Sequence, residues 1–500
     1  MRATLVAVLA LLTFAPSALA VDEVNTTKFR KDVTVNGIMS HERALQSIAN
    51  ANGGTRASGT PGYDASVAYV SERLKKAGYK VTEQEFIFPF YEELAEPSLS
   101  QVSPTATDYE TATYQYSGSG DVTAPVQPVD VVVPIGSSPP STSSSGCEES
   151  DFEGFTAGNV ALMQRGTCDF AVKAENAEAA GASAAIIFNE GQPGRTDLLA
   201  GTLGGNVRGI PVLGLSYADG AELVESARAE ETTVHAFAST LNEDRPTKNV
   251  LADSKRGDAS KTLVVGAHLD SVLEGPGIND NGSGTGTILE IAEEMSEAKV
   301  KPRQRVRFAF WGAEESGLLG SEHYVANLSP SQVGNLWANL NFDMLGSPNY
   351  VRFVYDGDGS DTDPAGPPGS GQIEEVFTRY FASQGLESEP TEFSGRSDYG
   401  PFIAVGIPAG GLFSGAEGVK TAEQAAVYGG TAGEPYDACY HQACDTIDNV
   451  STKALFELGD GAAHAALTLA KTKTGFFEDG SRRGKVRQRA MTFDGSHAQR

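Results

Sequence analysis

The second half of the chain alternates between two kinds of segment, and this alternation limits the possible fold more than any other feature. Short apolar runs that favour strands lie at 263–265, 306–311, 337–342 and 351–355. Segments with apolar residues at helical spacing lie near 285–298, 317–328, 373–384 and 452–472. Regular alternation of strands and helices is typical of a sheet with helices on both faces. The sequence therefore predicts an α/β fold from about residue 247.

A helix and a separate module precede this region. A loop at 53–62 leads into a helix through Tyr69 and Leu74 that Gly78 ends, and a strand is predicted at 79–88. Between about 108 and 140 the composition shifts to Ser, Thr, Gly, Pro and Val, which indicates entry into a second module. The strands predicted inside it are 160–163, 184–188 and 210–213, with helices at 168–181 and through residue 223.

Length and charge narrow the class of protein. The chain has 500 residues, which favours two or three domains. It carries 38 Lys and Arg against 65 Asp and Glu, a formal charge of -27. Such a surface repels phosphate backbones, so we expect no nucleic-acid partner.

The first twenty residues resemble a secretory signal peptide. Arg2 precedes an apolar run at 5–14, and Ala18-Leu19-Ala20 has the small residues of a cleavage site. A membrane anchor or a core helix is the alternative, but the run is too short to cross about 30 Å of hydrocarbon. We therefore expect a secreted, extracellular protein with no membrane span.

The four cysteines fall into two pairs that are local in sequence, Cys147 with Cys168 and Cys439 with Cys444. In an exported protein this grouping favours two disulfides that close short loops, although four cysteines permit three connectivities. A metal site is the alternative for each pair, and neither pair has the CxxC spacing typical of such sites.

Polar residues with ligand chemistry follow the predicted strands. Such residues in an open α/β sheet face a crevice at the carboxyl ends of the strands. Taken singly, each has an ordinary explanation, such as a structural histidine or an exposed acidic helix start. Together they supply the two imidazoles and three carboxylates that a pair of zinc ions sharing one carboxylate needs, with Glu314 left over as a base. The five candidate ligands are His268, Asp280, Glu315, Asp343 and His441.

These blocks of sequence resemble two known families. Residues 53–62 and 263–448 resemble peptidase family M28, and Cys147, Arg165-Gly166-Thr167-Cys168 and 179–182 resemble a protease-associated (PA) domain. The resemblance implies a zinc exopeptidase fold, in which helices sandwich a mixed, largely parallel sheet, with a small β-rich α+β PA domain inserted. The expected division is a signal peptide at 1–20, peptidase at 21–115 and 247–475, PA domain at 116–246 and a basic tail at 476–500.

The resemblance also implies roles. His268 and Asp343 would hold one zinc ion and Glu315 and His441 the other, with Asp280 bridging the two. Glu314 would take a proton from the attacking water and pass it to the leaving amine. The remaining implied residues are Asp270, which orients His268, and Tyr440, which hydrogen-bonds the oxyanion.

Two further residues match substrate-binding positions of the family. Arg396 corresponds to an arginine near the substrate, and Phe413 to a residue that lines the pocket for the first side chain. An arginine on a Gly-Ser loop is commonly solvated, and a phenylalanine after two glycines is commonly core. Tyr399 departs from the family pattern, because close relatives often carry histidine there.

The expected function is thus that of a monomeric, secreted aminopeptidase with two Zn2+ ions. It would cleave the first bond of peptides and proteins with a free N-terminus, with Leu, Phe or Met preferred there. The alternatives are a glutamate-type carboxypeptidase of the same family, a single-zinc glutaminyl cyclase and a catalytically inactive receptor-like protein. The PA domain would limit access to the cleft, recruit proteins or pack inertly.

Overall fold

The computed structural model of the chain describes residues 21–134, 143–205 and 207–476. The predicted signal peptide lies outside the described residues. So does the predicted tail beyond residue 476.

The described residues form 14 strands that join in one continuous series of pairings. In chain order they are β1 Lys80–Ser103, β2 Thr107–Tyr109, β3 Ala112–Thr113, β4 Gly120–Pro128, β5 Val160–Gln164, β6 Ala184–Phe188, β7 Val212–Leu215, β8 Thr233–Asp253, β9 Asp258–His268, β10 Gln304–Trp311, β11 Leu336–Phe342, β12 Phe353–Tyr355, β13 Glu389–Thr391 and β14 Ala409–Phe413.

The same residues contain 12 α-helices. In chain order they are α1 Thr27–Asp32, α2 Val35–Ala51, α3 Pro61–Ala77, α4 Phe170–Ala179, α5 Tyr217–Ala229, α6 Gly284–Glu297, α7 Leu319–Ala326, α8 Pro330–Asn335, α9 Ser370–Ser383, α10 Gly400–Ala404, α11 Ala422–Tyr428 and α12 Thr452–Lys471. None of them, within the described part of the chain, is both long and apolar enough to cross a bilayer.

The larger part of the sheet has the strand order β13-β12-β14-β11-β9-β10-β8. Its centre is parallel, since β10 and β11 both run alongside β9 in the same direction and β14 runs parallel to β11. The antiparallel contacts of β12 with β14 and of β8 with β10 make it a mixed sheet. This confirms the predicted α/β architecture.

Both faces of this sheet are buried, and successive side chains of the central strands point alternately to one face and the other. Leu263 and Val265 of β9 pack in one large cluster under helices α2, α3, α6 and α12. Val264 points the other way and packs with Trp311 and Tyr324, next to α7 and α10. Because side chains alternate across a strand, continuous apolar runs such as these require cover on both faces.

Helix α3 shows how local sequence sets an element's limits. The Thr60 side chain accepts a hydrogen bond from the amide of Tyr63, and Pro61 occupies the first turn. Gly78 ends the helix with a φ of 89°, a left-handed conformation that glycine adopts without strain. The helix end predicted at Gly78 is therefore confirmed.

The second module contains the sheet β4-β5-β6-β7-β3, in which β4 to β7 are parallel. A long antiparallel ribbon of β1 and β8 connects it to the larger sheet, with pairing from Lys80–Asp253 to Ser103–Thr233. One end of β8 pairs with β10 and the other end with β4. The strand predicted at 79–88 thus extends to Ser103, because it continues through both modules.

Strand β14 was not predicted, since its Gly410-Gly411 pair has low strand propensity. Both glycines are required by close packing: a Cβ on Gly411 would lie 1.8 Å from the carbonyl oxygen of Asn341, and one on Gly410 would lie 2.5 Å from Ile373. Helices α1 and α2 were also missed.

Candidate metal centre

The carboxyl ends of three parallel strands place three candidate ligands and the candidate base at one edge of the sheet. His268 is the last residue of β9, Glu314 and Glu315 follow β10, and Asp343 follows β11. Asp280 and His441 reach the same place from loops. All five predicted ligands and the predicted base therefore lie in one cluster.

His268 lies at the centre of one half of this cluster and is 1% exposed. Its Nε2 atom is 3.2 Å from Oδ1 of Asp280 and 3.2 Å from Oδ1 of Asp343. Its Nδ1 atom is 3.2 Å from the backbone carbonyl oxygen of Asp270. A proton on Nδ1 would leave the Nε2 lone pair directed at the carboxylates, which is the tautomer a metal ligand needs.

His441 occupies the other half. Its Nε2 atom is 3.2 Å from Oδ2 of Asp280 and 3.0 Å from Oε2 of Glu315. The two oxygens of Asp280 thus face two different imidazoles. A carboxylate in this position is placed to be shared by two cations.

Asp270 supports both parts of the centre. Its Oδ1 lies 3.6 Å from Nδ1 of His268, and its two oxygens accept hydrogen bonds from the backbone amides of Glu314 and Glu315, at 3.3 and 3.4 Å. Ala313, just before these glutamates, has a positive φ of 51°, so the chain turns sharply there. The Asp270 carboxylate stabilises that turn.

Residues without a predicted role form hydrogen bonds with the candidate ligands or with the backbone next to them. Asp445 accepts hydrogen bonds from the amides of Asn279 and Asp280, at 2.8 and 3.0 Å, and Ser397 donates to Oδ2 of Asp343. The buried Arg56 guanidinium donates to three backbone carbonyls, including those of Leu269 and Gly277. The sequence offered a signal for each, since all lie inside or next to the motifs.

The cluster has an excess of negative charge. Burial lowers the pKa of His268, but Asp343 and Glu314 raise it well above its ordinary value. Burial also lowers the pKa of His441, but Glu315 and Asp280 outweigh this effect and raise the pKa to about 11. Burial raises the pKa of Glu314 well above the usual range and that of Glu315 to about 7. These shifts indicate that the side chains need additional positive charge.

A divalent cation fits this need. Oε1 of Glu315 is buried and has no hydrogen-bond partner among the described residues, and a buried carboxylate oxygen without a partner is costly. Ligand atoms of His268, Asp280 and Glu315 lie within 4.8 Å of one another, as do those of His268, Glu314 and Asp343. The donor set of imidazole nitrogens and carboxylate oxygens suits zinc and other transition metals.

A cavity of about 280 Å³ opens beside the cluster. We call it the aromatic cavity, because its walls include Phe353, Tyr355, Phe413 and Tyr436. Phe413 stacks on Phe353 with ring centroids 5.9 Å apart. The predicted substrate residues Arg396 and Phe413 both line this cavity.

Tyr440 and Arg396 lie at the rim of the centre. Nη2 of Arg396 is 3.3 Å from the Tyr440 hydroxyl, and Nη1 is 2.7 Å from Oε1 of Glu417. Tyr399 is buried, and its hydroxyl accepts a hydrogen bond from the amide of Gly395. Tyr399, which replaces the histidine common in relatives, therefore affects the shape of the loop that carries Arg396, because its hydroxyl is hydrogen-bonded to the backbone of that loop.

Both cysteine pairs form the disulfides that the sequence favours, Cys147–Cys168 and Cys439–Cys444. The second encloses His441, which has a positive φ of 56°.

Asp398 is a further residue for which the sequence predicted no role. It is fully buried near the centre, and burial raises its pKa to about 8.

Comparison with known proteins agrees with these observations. A model described as Peptidase family M28 matches residues 249–466, and a model described as PA domain matches 122–223. An aminopeptidase of Pseudomonas aeruginosa is 49% identical over 84% of this chain and 78% of its own length. Leucine aminopeptidase 2 of Arthroderma otae is 38% identical over 91% of this chain and 88% of its own.

Among solved structures, a zinc aminopeptidase from Bacillus subtilis aligns with a TM-score of 0.60 and 26% identity, over 90% of this chain and 99% of its own. The overlap with the aminopeptidases covers both the α/β sheet and the inserted module. The chain therefore belongs to peptidase family M28 and carries a PA domain.

Proposed function

We propose that this protein is a zinc-dependent aminopeptidase that holds two zinc ions and removes the first residue of peptides and proteins. The position of Asp280 carries the proposal, because its two oxygens lie 3.2 Å from Nε2 of His268 and 3.2 Å from Nε2 of His441. Relatives that bear the name aminopeptidase, and a structural relative described as a zinc aminopeptidase, support the same activity.

The side chains divide into two ligand sets around Asp280. His268 and Asp343 belong to one set, and Glu315 and His441 to the other. Each set, with one oxygen of Asp280, supplies three protein ligands and leaves room for water or substrate, as catalytic zinc sites require. When bound, zinc supplies Lewis acidity that polarises the substrate carbonyl and makes the attacking water more acidic.

The chain's own groups move the proton. Oε2 of Glu314 lies 4.0 Å from Nε2 of His268, at the same edge as the ligands. In this position Glu314 takes a proton from the attacking water and gives it to the leaving amine. Asp270 fixes the turn that carries Glu314 and orients His268, so it is a positioning residue.

The aromatic cavity supports the proposed restriction to the first bond. Glu314 and Asp343 line it, and their carboxylates would attract the protonated N-terminal amine. The first side chain then lies against Phe413 and its aromatic neighbours, which favours Leu, Phe or Met. The name of the Arthroderma otae leucine aminopeptidase supports this preference.

We further propose that the enzyme acts outside the cell, with residues 1–20 as a signal peptide and domain limits as expected from sequence. Two disulfides support this location, because they persist in oxidising compartments.

One assay separates this activity from that of a glutamate-type carboxypeptidase. Zinc-loaded protein is offered Leu-p-nitroanilide and, separately, an N-acetylated peptide that ends in Glu. We expect hydrolysis of the first substrate only, abolished by a chelator and restored by zinc. Cleavage of the acetylated peptide alone would contradict an aminopeptidase.

A further inference from the structure

A second cavity, of about 500 Å³, lies where the PA module meets the peptidase sheet. We call it the junction cavity. The ribbon contributes Tyr91, Glu92 and Glu93, and the peptidase side contributes Glu274 and Ser316. Its volume is within the range of about 300–1,000 Å³ that is typical of ligand pockets.

The junction cavity, like the aromatic cavity, adjoins the metal centre. Glu315 and His441 line both cavities, and no other residues are shared among those that the structure describes. The ligands therefore separate two spaces, one with aromatic walls and one at the junction of the modules.

Apolar packing holds the ribbon next to the turn that carries Glu314 and Glu315. Phe86, Phe88 and Phe90 of β1 form a buried cluster with Ala313, the residue just before Glu314. Arg245 of β8 lies over the Phe90 ring at 3.5 Å from its centroid and donates to the carbonyl oxygen of Gly59. Phe90, which belongs to this packing, also lines the junction cavity.

The lining of the junction cavity is acidic. The described residues that line it include five carboxylates and no Lys or Arg. Two of these, Asp270 and Glu315, are engaged in the metal centre, and the other three, Glu92, Glu93 and Glu274, lie outside it. Burial raises the pKa of Glu93 although a hydrogen bond with Thr113 opposes the rise, and the charges of Glu96 and Glu274 add to it. Glu93, on the ribbon, and Glu274, on the peptidase side, line the same cavity.

The two cavities impose a direction on a bound peptide, if the proposed function is correct. The free amine and the first side chain occupy the aromatic cavity, and the bond to be cut lies over the ligands. The chain beyond that bond continues on the far side. Residues two to four span about 10 Å when extended, a length compatible with the junction cavity.

We propose that the junction cavity binds the part of the substrate that follows the scissile bond and selects peptides with Lys or Arg at the second and third positions. Several carboxylates in a confined space create a negative potential that attracts cationic side chains and repels acidic ones. The inference rests on the proposed aminopeptidase activity and adds a substrate class to it.

The test compares two peptides that differ only in charge, Leu-Lys-Lys-Ala-Ala and Leu-Glu-Glu-Ala-Ala, with Leu-p-nitroanilide as a substrate that lacks those residues. We expect kcat/KM to be at least about tenfold higher for the lysine peptide at low salt. The ratio should fall several-fold at about 0.5 M salt, because the Debye length is then only a few ångströms.

A triple variant removes the cavity charges: Glu92→Gln, Glu93→Gln and Glu274→Gln. We expect the peptide ratio to fall to about threefold or less, with activity on Leu-p-nitroanilide within about twofold of the wild type. The matched control is Glu110→Gln, Glu222→Gln and Glu423→Gln, which changes the net charge equally at exposed sites outside the cavity. The control should keep the wild-type ratio.

Equal kcat/KM for the two peptides in the wild type would overturn the proposal, and so would a control variant that loses the ratio as fully as the cavity variant. If the triple variant unfolds early in a thermal scan, the single variants Glu93→Gln and Glu274→Gln replace it. An unchanged ratio in both would also overturn the proposal. Absence of activity on Leu-p-nitroanilide in zinc-loaded wild type would instead contradict the aminopeptidase function itself.

Discussion

The ring of Tyr440 stacks on the imidazole of His441, with ring centroids 3.8 Å apart and ring planes at 24°. The stack ties the Tyr440 hydroxyl to the position of a proposed metal ligand. Burial, with Asp280 and Glu315 nearby, raises the pKa of Tyr440 well above its ordinary value, so its hydroxyl keeps its proton at neutral pH. It is therefore available as a hydrogen-bond donor at the reaction centre.

Tyr440→Phe should lower kcat for Leu-p-nitroanilide by about 10²–10³, the usual effect of removing one oxyanion donor, with little change in KM. Steady-state kinetics measures this split. Tyr436→Phe is the control, because Tyr436 lines the aromatic cavity but its hydroxyl donates to Gln424. A Tyr440 variant with full kcat would exclude the hydroxyl from oxyanion stabilisation.

Glu314→Gln should lower kcat by about 10²–10⁴, the range expected for loss of a general base. Zinc content and thermal unfolding should stay close to those of the wild type, since Glu314 is not needed as a ligand in this arrangement. Elemental analysis and a thermal scan on the same sample provide the controls. Full turnover by a folded, zinc-loaded variant would refute the role of Glu314.

Metal analysis should find two zinc ions per chain. Asp280→Asn should reduce the zinc retained after dialysis, because both ligand sets lose a charged oxygen at once, and should abolish activity. Asp108→Asn is a suitable control, because Asp108 is exposed on β2 and belongs to none of the candidate metal-binding groups among the described residues. One tightly held ion in the active wild type would contradict the shared-carboxylate arrangement.

Removal of each disulfide should affect a different property of the enzyme, activity in one case and stability in the other. The Cys439–Cys444 bond closes a loop with a sequence separation of 5, so its removal should cost about 2 kcal/mol of stability or less and should lower zinc affinity or kcat/KM by about 10–100-fold through His441. The Cys147–Cys168 bond has a separation of 21, so its removal should cost about 2–4 kcal/mol of stability in the PA module.

Paired Cys→Ser variants, measured by unfolding and by kcat/KM on Leu-p-nitroanilide, distinguish these effects. If both pairs lowered activity equally, the rigid loop around His441 would have no special role.

Phe413→Ala should lower kcat/KM for Leu-p-nitroanilide by about tenfold or more and change it less for Ala-p-nitroanilide, because a methyl side chain contacts less of the wall. Phe456→Ala is the control, since Phe456 is 62% exposed on α12 and does not line the aromatic cavity. Equal losses on both substrates would show that Phe413 acts through folding and not through selection.

The sequence indicated where three of the five candidate ligands would lie, because His268, Glu315 and Asp343 each follow a strand with a recognisable apolar pattern. Strands 306–311 and 337–342 are mostly apolar, with one arginine in the first and two asparagines in the second, and their carboxyl ends must lie at the same edge if the strands are parallel. The apolar pattern of the strands and the rule that parallel strands end at one edge of a sheet therefore both place Glu315 and Asp343 at that edge. The five contributing side chains come together as expected, although their roles stay a proposal.

Other features depended on tertiary contacts that a local pattern does not show. Gly410 and Gly411 form a strand only because β11 and α9 approach too closely for side chains there. Asp445 lies next to the motif around His441, but its hydrogen bond from the backbone amide of Asp280, 165 residues away in sequence, is a tertiary contact that the motif does not reveal. The ribbon's length was missed because its second half belongs to the other module.

The long ribbon also limits how the PA module can move. A module on a flexible linker swings freely, whereas this one is continuous with two hydrogen-bonded strands, so any swing must bend their ladder. The ladder is interrupted between Glu93 and Ala95 and again between Ala95 and Ser98. Bending costs the fewest ladder hydrogen bonds at these interruptions, so they are the parts of the ribbon at which the angle between the two modules can change most easily.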